Sequence, residues 1–121
     1  MEEIKNGHKN SHWMWFIFPQ IHGLGRSPTS QYYAVKSLDE ATAFLQDPYL
    51  SGNLLEICHA LLILDKNNAT EVFEKPDDMK LKSSMTLFSL VPNADPVFQN
   101  VLDKYFGGKR DYRTMKILGL L

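Results

Sequence analysis

The residues best equipped for chemistry crowd into one stretch, N-S-H-W-M-W-F-I-F-P-Q-I-H-G-L-G-R-S-P-T-S-Q-Y-Y, positions 10–33. Trp13, Trp15, Phe16 and Phe18 offer flat apolar walls or a stacking face. His12, Gln20, Arg26, Ser27 and Ser30 add hydrogen-bond donors and acceptors. Apolar walls with a few orienting polar groups are the make-up of a small-molecule pocket. Gly23 and Gly25 let a backbone come close to a ligand. Arg26 is one of only three arginines, and its planar fork suits a phosphate or a carboxylate. The same rings suit a core, where each buries a large apolar area. One ring can do both, with an edge in the core and a face in a cleft.

A second candidate is K-L-K-S-S-M-T-L-F, positions 80–88. On a helix, Lys82, Ser83 and Thr86 fall within one turn, beside an apolar stripe of Leu81 and Met85. Hydroxyls there lower helix propensity. The alternative is that Ser83 and Ser84 permit close helix packing while Lys80 and Lys82 stay solvated.

Most familiar signatures are missing. The chain has no G-x-x-x-x-G-K, H-E-x-x-H, C-x-x-C or G-x-S-x-G, motifs that mark phosphate loops, zinc proteases, redox pairs and esterases. His8, His12, His22 and His59 lack a companion carboxylate at ligand spacing, so no metal is expected, and no cofactor is called for. Cys58, the single cysteine, sits in an apolar run and reads as a buried free thiol of a reducing compartment. His59 points away from it on a helix.

A net charge of −1 with mixed signs gives no electrostatic reason to expect nucleic acid or an anionic membrane. The longest apolar run, 13–19, is too short to span a bilayer, and the charged start (Glu2, Glu3, Lys5) lacks a signal-peptide core. A cytoplasmic protein is expected. At 121 residues with 44% apolar content, the chain suits one domain, 1–121, with a core of its own.

The elements that must position the candidates are mainly helical. Residues 1–6 make at most a short helix ended by Gly7. The run 13–18 is aromatic enough for a strand but is cut by Pro19, and 20–30 reads as loop. S-L-D-E at Ser37 is a capping box opening a helix to about Gln46. Asp47-Pro48 opens a second, core-lining helix and Asp95-Pro96 another. Thr70 to Phe73 makes one helical turn. Pro76-Asp77-Asp78 starts a helix whose apolar face is Leu81, Met85, Leu87 and Phe88, ending near Val91-Pro92. Gly107-Gly108 stops the next helix. Asp111 caps a last one with Met115 and Leu118 inward. The expectation is a mainly α domain of about five helices behind an aromatic, loop-rich N-terminal segment.

The strings S-H-W-M-W-F-I-F-P-Q (11–20), G-L-G-R-S-P (23–28), Y-Y-A-V-K-S-L-D-E-A (32–41) and D-D-M-K-L-K-S-S-M-T-L-F (77–88) resemble the family of domain of unknown function 1810. The P-V-F and K-Y-F-G-G-K segments fit it too, so the likeness covers nearly the whole chain. It implies a small, mainly α-helical bacterial domain without an established activity. Members usually carry an additional N-terminal helical stretch, so part of a first helix is expected to be missing here. Some members bear the label calpastatin, and nothing in these residues supports protease inhibition.

A second likeness concerns chemistry. Phe16 to Pro19, a glycine turn, and P-T-S-Q-Y-Y-A-V-K at 28–36 resemble a segment of the NADAR family, N-glycosidases acting on ADP-ribose derivatives and phosphoribosyl-linked pyrimidines. The runs 44–56 and 79–85 are similar in order and spacing. Where that pattern carries an acidic residue, this chain has Gln31, and glutamine cannot replace a carboxylate as base or as stabiliser of an oxocarbenium-like centre.

Together these readings predict a pocket for a phosphate-bearing, nucleotide-like ligand of ADP-ribose or phosphoribosyl type. Trp13 or Trp15 would stack a base. Arg26, Lys36 and Lys82 would meet phosphates, and Gln20, Ser27 and Ser30 would orient the sugar. Phe18, His12, Gly23, Gly25, Gln31, Ser83 and Thr86 would complete the walls. Two alternatives stand beside it. One is a protein-interaction module using the aromatic segment as an exposed patch. The other is a glycosidase-like hydrolase working through another carboxylate, such as Asp78 or Glu56.

Overall fold

Cap chemistry sets where each helix begins. The computed structural model describes residues 18–24, 31–32, 34–65, 68–73 and 77–120. Ser37 starts α1 (Leu38–Gln46), its hydroxyl accepting the Glu40 N–H at 3.2 Å. Asp47 starts α2 (Pro48–Ile63) by accepting from the Tyr49 and Leu50 N–H groups at 2.9 and 3.1 Å. These bonds satisfy donors that a helix start otherwise leaves orphaned. After α3 (Ala69–Phe73) comes α4 (Asp77–Ser89). Asp95 accepts from Val97 at 2.9 Å to open α5 (Val97–Phe106). Asp111 takes both the N–H and the hydroxyl of Thr114 at the head of α6 (Tyr112–Ile117). Gly107 and Gly108, at φ 63° and 77°, stop α5 in the left-handed region that glycine enters without strain.

The described residues thus form six helices and no strand. That is one helix more than the five expected, because the turn at Ala69–Phe73 closes as a helix of its own. Among the described residues Ile21 and Val35 form a single parallel bridge. It is held by His22 N–H to Val35 O at 2.7 Å and Val35 N–H to Gln20 O at 2.8 Å. The expected helix at 1–6 and most of the aromatic run, 13–17, lie outside the described residues.

α4 is the central helix and packs against α1, α3, α5 and α6. Leu81, Met85, Leu87 and Phe88 are buried as expected, but so are Asp78, Ser83, Ser84 and Thr86. Asp78 and Ser84 share the face of Leu81 and Phe88, but a helix buried on that face alone would have put Ser83 and Thr86 in water. Phe88 links Phe44 of α1 to Phe98 of α5, with ring centroids 5.2 and 5.6 Å apart. α5 is pinned to the end of α2. The Lys104 ammonium donates to the carbonyls of Leu61, Leu62 and Leu64, and the Tyr105 hydroxyl donates to Leu61 O at 2.6 Å. These contacts satisfy C-terminal carbonyls that the helix itself cannot. On α6 the inward residue is Thr114, with Leu118 against the core and Met115 half-buried. Among the described residues, no helix is long and apolar enough to cross a membrane.

Candidate functional site

The polar side of α4 is where sequence-distant candidates meet. Gln20 donates through Nε2 to the Ser83 hydroxyl at 2.8 Å. Ser83 in turn directs its own proton to the carbonyl of Met79 or Lys80, at 3.2 and 3.1 Å. Gln20 is held for this bond from both sides. Its carbonyl takes the Val35 N–H, and Phe18, two residues earlier, is wholly buried with its ring edge-on to Phe73 at 6.0 Å. One turn further along α4, Thr86 donates to Lys82 O at 2.9 Å and accepts the Asp111 N–H at 2.8 Å. The hydroxyl row therefore touches the N-terminal loop at one end and the start of α6 at the other.

Lys82, one turn before Thr86 on α4, stands against α5. It is half-buried, its ammonium 5.9 Å from the Phe106 ring centroid, a favourable placement for a cation. Among the described residues it has no carboxylate partner. The α5–α6 turn, which reaches α4 at Thr86, carries Lys109 and Arg110, both exposed, with Arg110 donating to Gln99 Oε1 at 3.3 Å.

The structure draws Gln20, Lys82, Ser83 and Thr86 together, with Lys36 exposed one residue past the Val35 bridge. Gly23 is exposed at φ 107°, a conformation that favours glycine. Gln31 is exposed. Three expectations change. Ser83 is 2% exposed with its hydroxyl already accepting from Gln20 and donating to a helix carbonyl, so it braces the site without reaching into it. Phe18 has no surface left for a ligand, because its ring is consumed by the core. Thr86 is fully buried with its hydroxyl already donating and accepting, so it shapes the site without reaching into it. His12, Trp13, Trp15, Gly25, Arg26, Ser27 and Ser30 lie outside the described residues.

The two carboxylates considered for hydrolysis part company. Glu56 is exposed on α2. Asp78 is buried in the first turn of α4, accepting the Thr70 hydroxyl at 2.7 Å and the Met79 N–H at 2.8 Å. Both of its oxygens are thus engaged, Oδ2 in tying α3 to α4 and Oδ1 with the next N–H of α4 itself. Cys58 is buried and free, its sulfur 3.7 Å from that of Met85. Burial, and secondarily the negative charge of Asp95, pushes its thiol far above the usual range, the reverse of what a nucleophile needs. Among the described residues no cluster of His, Cys, Asp or Glu could hold a metal ion.

Sequence reasoning missed Asp111 and Phe106, which frame Lys82 and Thr86. Asp111 was legible only as a helix cap. A usable signal was present in the run 104–116, where Lys104, Lys109, Arg110, Arg113 and Lys116 face a single acid, Asp111. It also missed a groove of about 260 Å³ between α1, α2 and the α4–α5 turn, which contains none of the residues above.

The model of a protein family of unknown function, DUF1810, matches residues 1–118. The fold is similar to the crystal structure of the conserved hypothetical protein Rv1873 from Mycobacterium tuberculosis. The two are 43% identical with a TM-score of 0.94, over 99% of this chain and 86% of that one. No curated protein matches the chain.

Proposed function

We propose, for a chain that belongs to the DUF1810 family, that it binds a small nucleotide-like ligand where the N-terminal aromatic segment meets the polar side of α4. The observation that carries this is the Gln20–Ser83 hydrogen bond. It ties Gln20, at the end of the aromatic stretch, to the hydroxyl-bearing helix across 63 residues of sequence, which supports one site shared by the two candidate clusters. Lys82 supplies a positive charge that no described carboxylate neutralises, and such an ammonium suits a phosphate. In this reading Trp13 or Trp15 stacks the base, a contact worth about 1–3 kcal/mol. Arg26 and Lys36 join Lys82 at the phosphates, and Ser27 and Ser30 orient the sugar. Gln31, standing where the NADAR-like pattern carries an acid, separates binding from that family's hydrolysis.

Thermal unfolding with ADP-ribose, NAD, AMP and ribose 5-phosphate tests the reading. A ligand present at tenfold its Kd stabilises the native state by about 1.4 kcal/mol, a Tm rise of about 4–6 °C for a domain of this size. Lys82→Met should abolish most of that rise while the variant stays folded. No shift with any of the four at millimolar concentration overturns the proposal.

A further inference from the structure

The groove between the C-terminal half of α1, the first turns of α2 and the α4–α5 turn lies apart from the site just described. Its volume is about 260 Å³, with a floor of Leu45, Leu55 and Phe98 and a rim of Gln46, Asn93 and Asp95. That is room for one ring and its substituent. Phe98 closes the floor from beneath and is itself backed by Phe88.

The rim is electrostatically one-sided. Asp95 is the one charged residue lining the groove. One of its carboxylate oxygens accepts the Val97 N–H, and the other has no hydrogen bond among the described residues. The groove lies against the carboxyl ends of α1 and α4 and also against the amino ends of α2 and α5, so the helix dipoles there offset one another and the charge on the rim is that of Asp95. Asn93, in the turn that forms one wall, is the one non-glycine among the described residues with positive φ, at 58°. Asparagine adopts this conformation readily in turns after a helix end.

The wider surroundings carry the same sign. No Lys or Arg occurs from Ser37 to Asp65 or from Ser83 to Asp103, the segments that form this part of the fold. They hold Asp39, Glu40, Asp47, Glu56, Asp65, Asp95 and Asp103. A concave apolar site inside a field of one sign concentrates ligands of the opposite sign.

We propose that this groove is a second binding site, for a small organic cation: an amine carried on a compact hydrophobic ring. The ring covers Leu45, Leu55 and the turn residues. The ammonium meets the free oxygen of Asp95, with the Gln46 and Asn93 amides as further polar partners. Neither amide has a described hydrogen bond of its own.

Titration of the whole chain with benzylammonium, benzyl alcohol and benzoate, read by amide chemical shifts in two-dimensional NMR, tests this. The expected result is saturable shifts at Gln46, Ser51, Asn93 and Ala94 with benzylammonium. Benzyl alcohol should bind about five- to tenfold more weakly, and benzoate not at all. Asp95→Asn keeps a helix-capping side chain and should lower benzylammonium affinity by about the same five- to tenfold factor. Gln46→Lys, on the exposed rim, should abolish benzylammonium binding and admit benzoate. Absence of shifts at millimolar benzylammonium overturns the proposal. So does equal binding of the three probes, or unchanged affinity in a folded Asp95→Asn protein.

Discussion

Removing the Gln20–Ser83 bond should cost more from one side than from the other. Ser83 is only 2% exposed, and its oxygen serves at once as acceptor for Gln20 and donor to a helix carbonyl. Gln20→Met deletes the incoming donor and leaves Ser83 still bonded to Met79 or Lys80. The expected cost is that of one neutral, part-buried bond, about 1 kcal/mol. Ser83→Ala deletes the acceptor and strands a half-buried amide, adding a desolvation penalty of about 1 kcal/mol. Alanine's better helix propensity returns about 0.5 kcal/mol, for a net cost of about 1.5 kcal/mol. In the double variant the bond is lost only once and no amide is stranded, so its cost should fall short of the summed singles by about 2 kcal/mol. Urea unfolding of the four proteins, closed as a double-mutant cycle, reads this coupling directly. Additivity within about 0.3 kcal/mol would mean that the aromatic segment is not held to α4 by this pair, and the site built on it would lose its anchor.

Three further outcomes follow from the packing. Lys104→Met keeps the aliphatic stem but removes a charge donated to three carbonyls at the end of α2. Charge-assisted bonds at a helix C-terminus imply a loss of about 2–3 kcal/mol, a Tm fall of about 8–15 °C, whereas Lys80→Met, breaking only the Asp77 pair at 3.6 Å, should move stability by less than about 0.5 kcal/mol. Burial pushes the Tyr105 phenol up to about 12. Since the unfolded chain ionises first, near pH 10, this group's contribution is intact below pH 10 and is lost as pH rises from there to about 12; denaturant titrations at several pH values should show an alkaline decline that is shallower in Tyr105→Phe. Cys58 should resist alkylation by iodoacetamide in native buffer and react at the ordinary thiol rate in denaturant, and fast native labelling would contradict its burial.

Helix starts were legible because they depend on chemistry within three residues. Ser37 with Glu40, Asp47 before Pro48, and Asp111 with Thr114 each bond inside a single turn, so their spacing in sequence is their spacing in space. The surroundings of α4 were not legible. A periodic stripe reveals one buried face, and Leu81, Met85 and Phe88 mark it correctly. Nothing local announces that Ser83 and Thr86 are covered as well, because the groups that cover them, Gln20 and Asp111, lie 63 and 25 residues away. Close packing at Ser83 and Ser84 was readable as an alternative, and both are buried, but the elements that cover that side of the helix were not. Phe18 shows the same ambiguity in reverse. An aromatic beside polar residues reads equally as wall or core, and only its contact with Phe73 decides between them.

Charge is divided within this small chain in a way that its net value of −1 hides. The segments around the α1–α2 groove hold acids without bases, whereas the α5–α6 turn, which reaches α4 through Asp111, is rich in bases. The two proposed sites therefore require opposite charge selectivity on one chain, and each is a control for the other. Adventitious apolar binding would favour the same probe at both. Specific binding predicts that Lys82→Met weakens ADP-ribose and spares benzylammonium, and that Asp95→Asn does the reverse. Raising salt should weaken both, because each contact is solvent-accessible and screened within about 10 Å at 0.1 M ionic strength. A substitution that moved both ligands together would point to a global change in stability and would remove the support for either site.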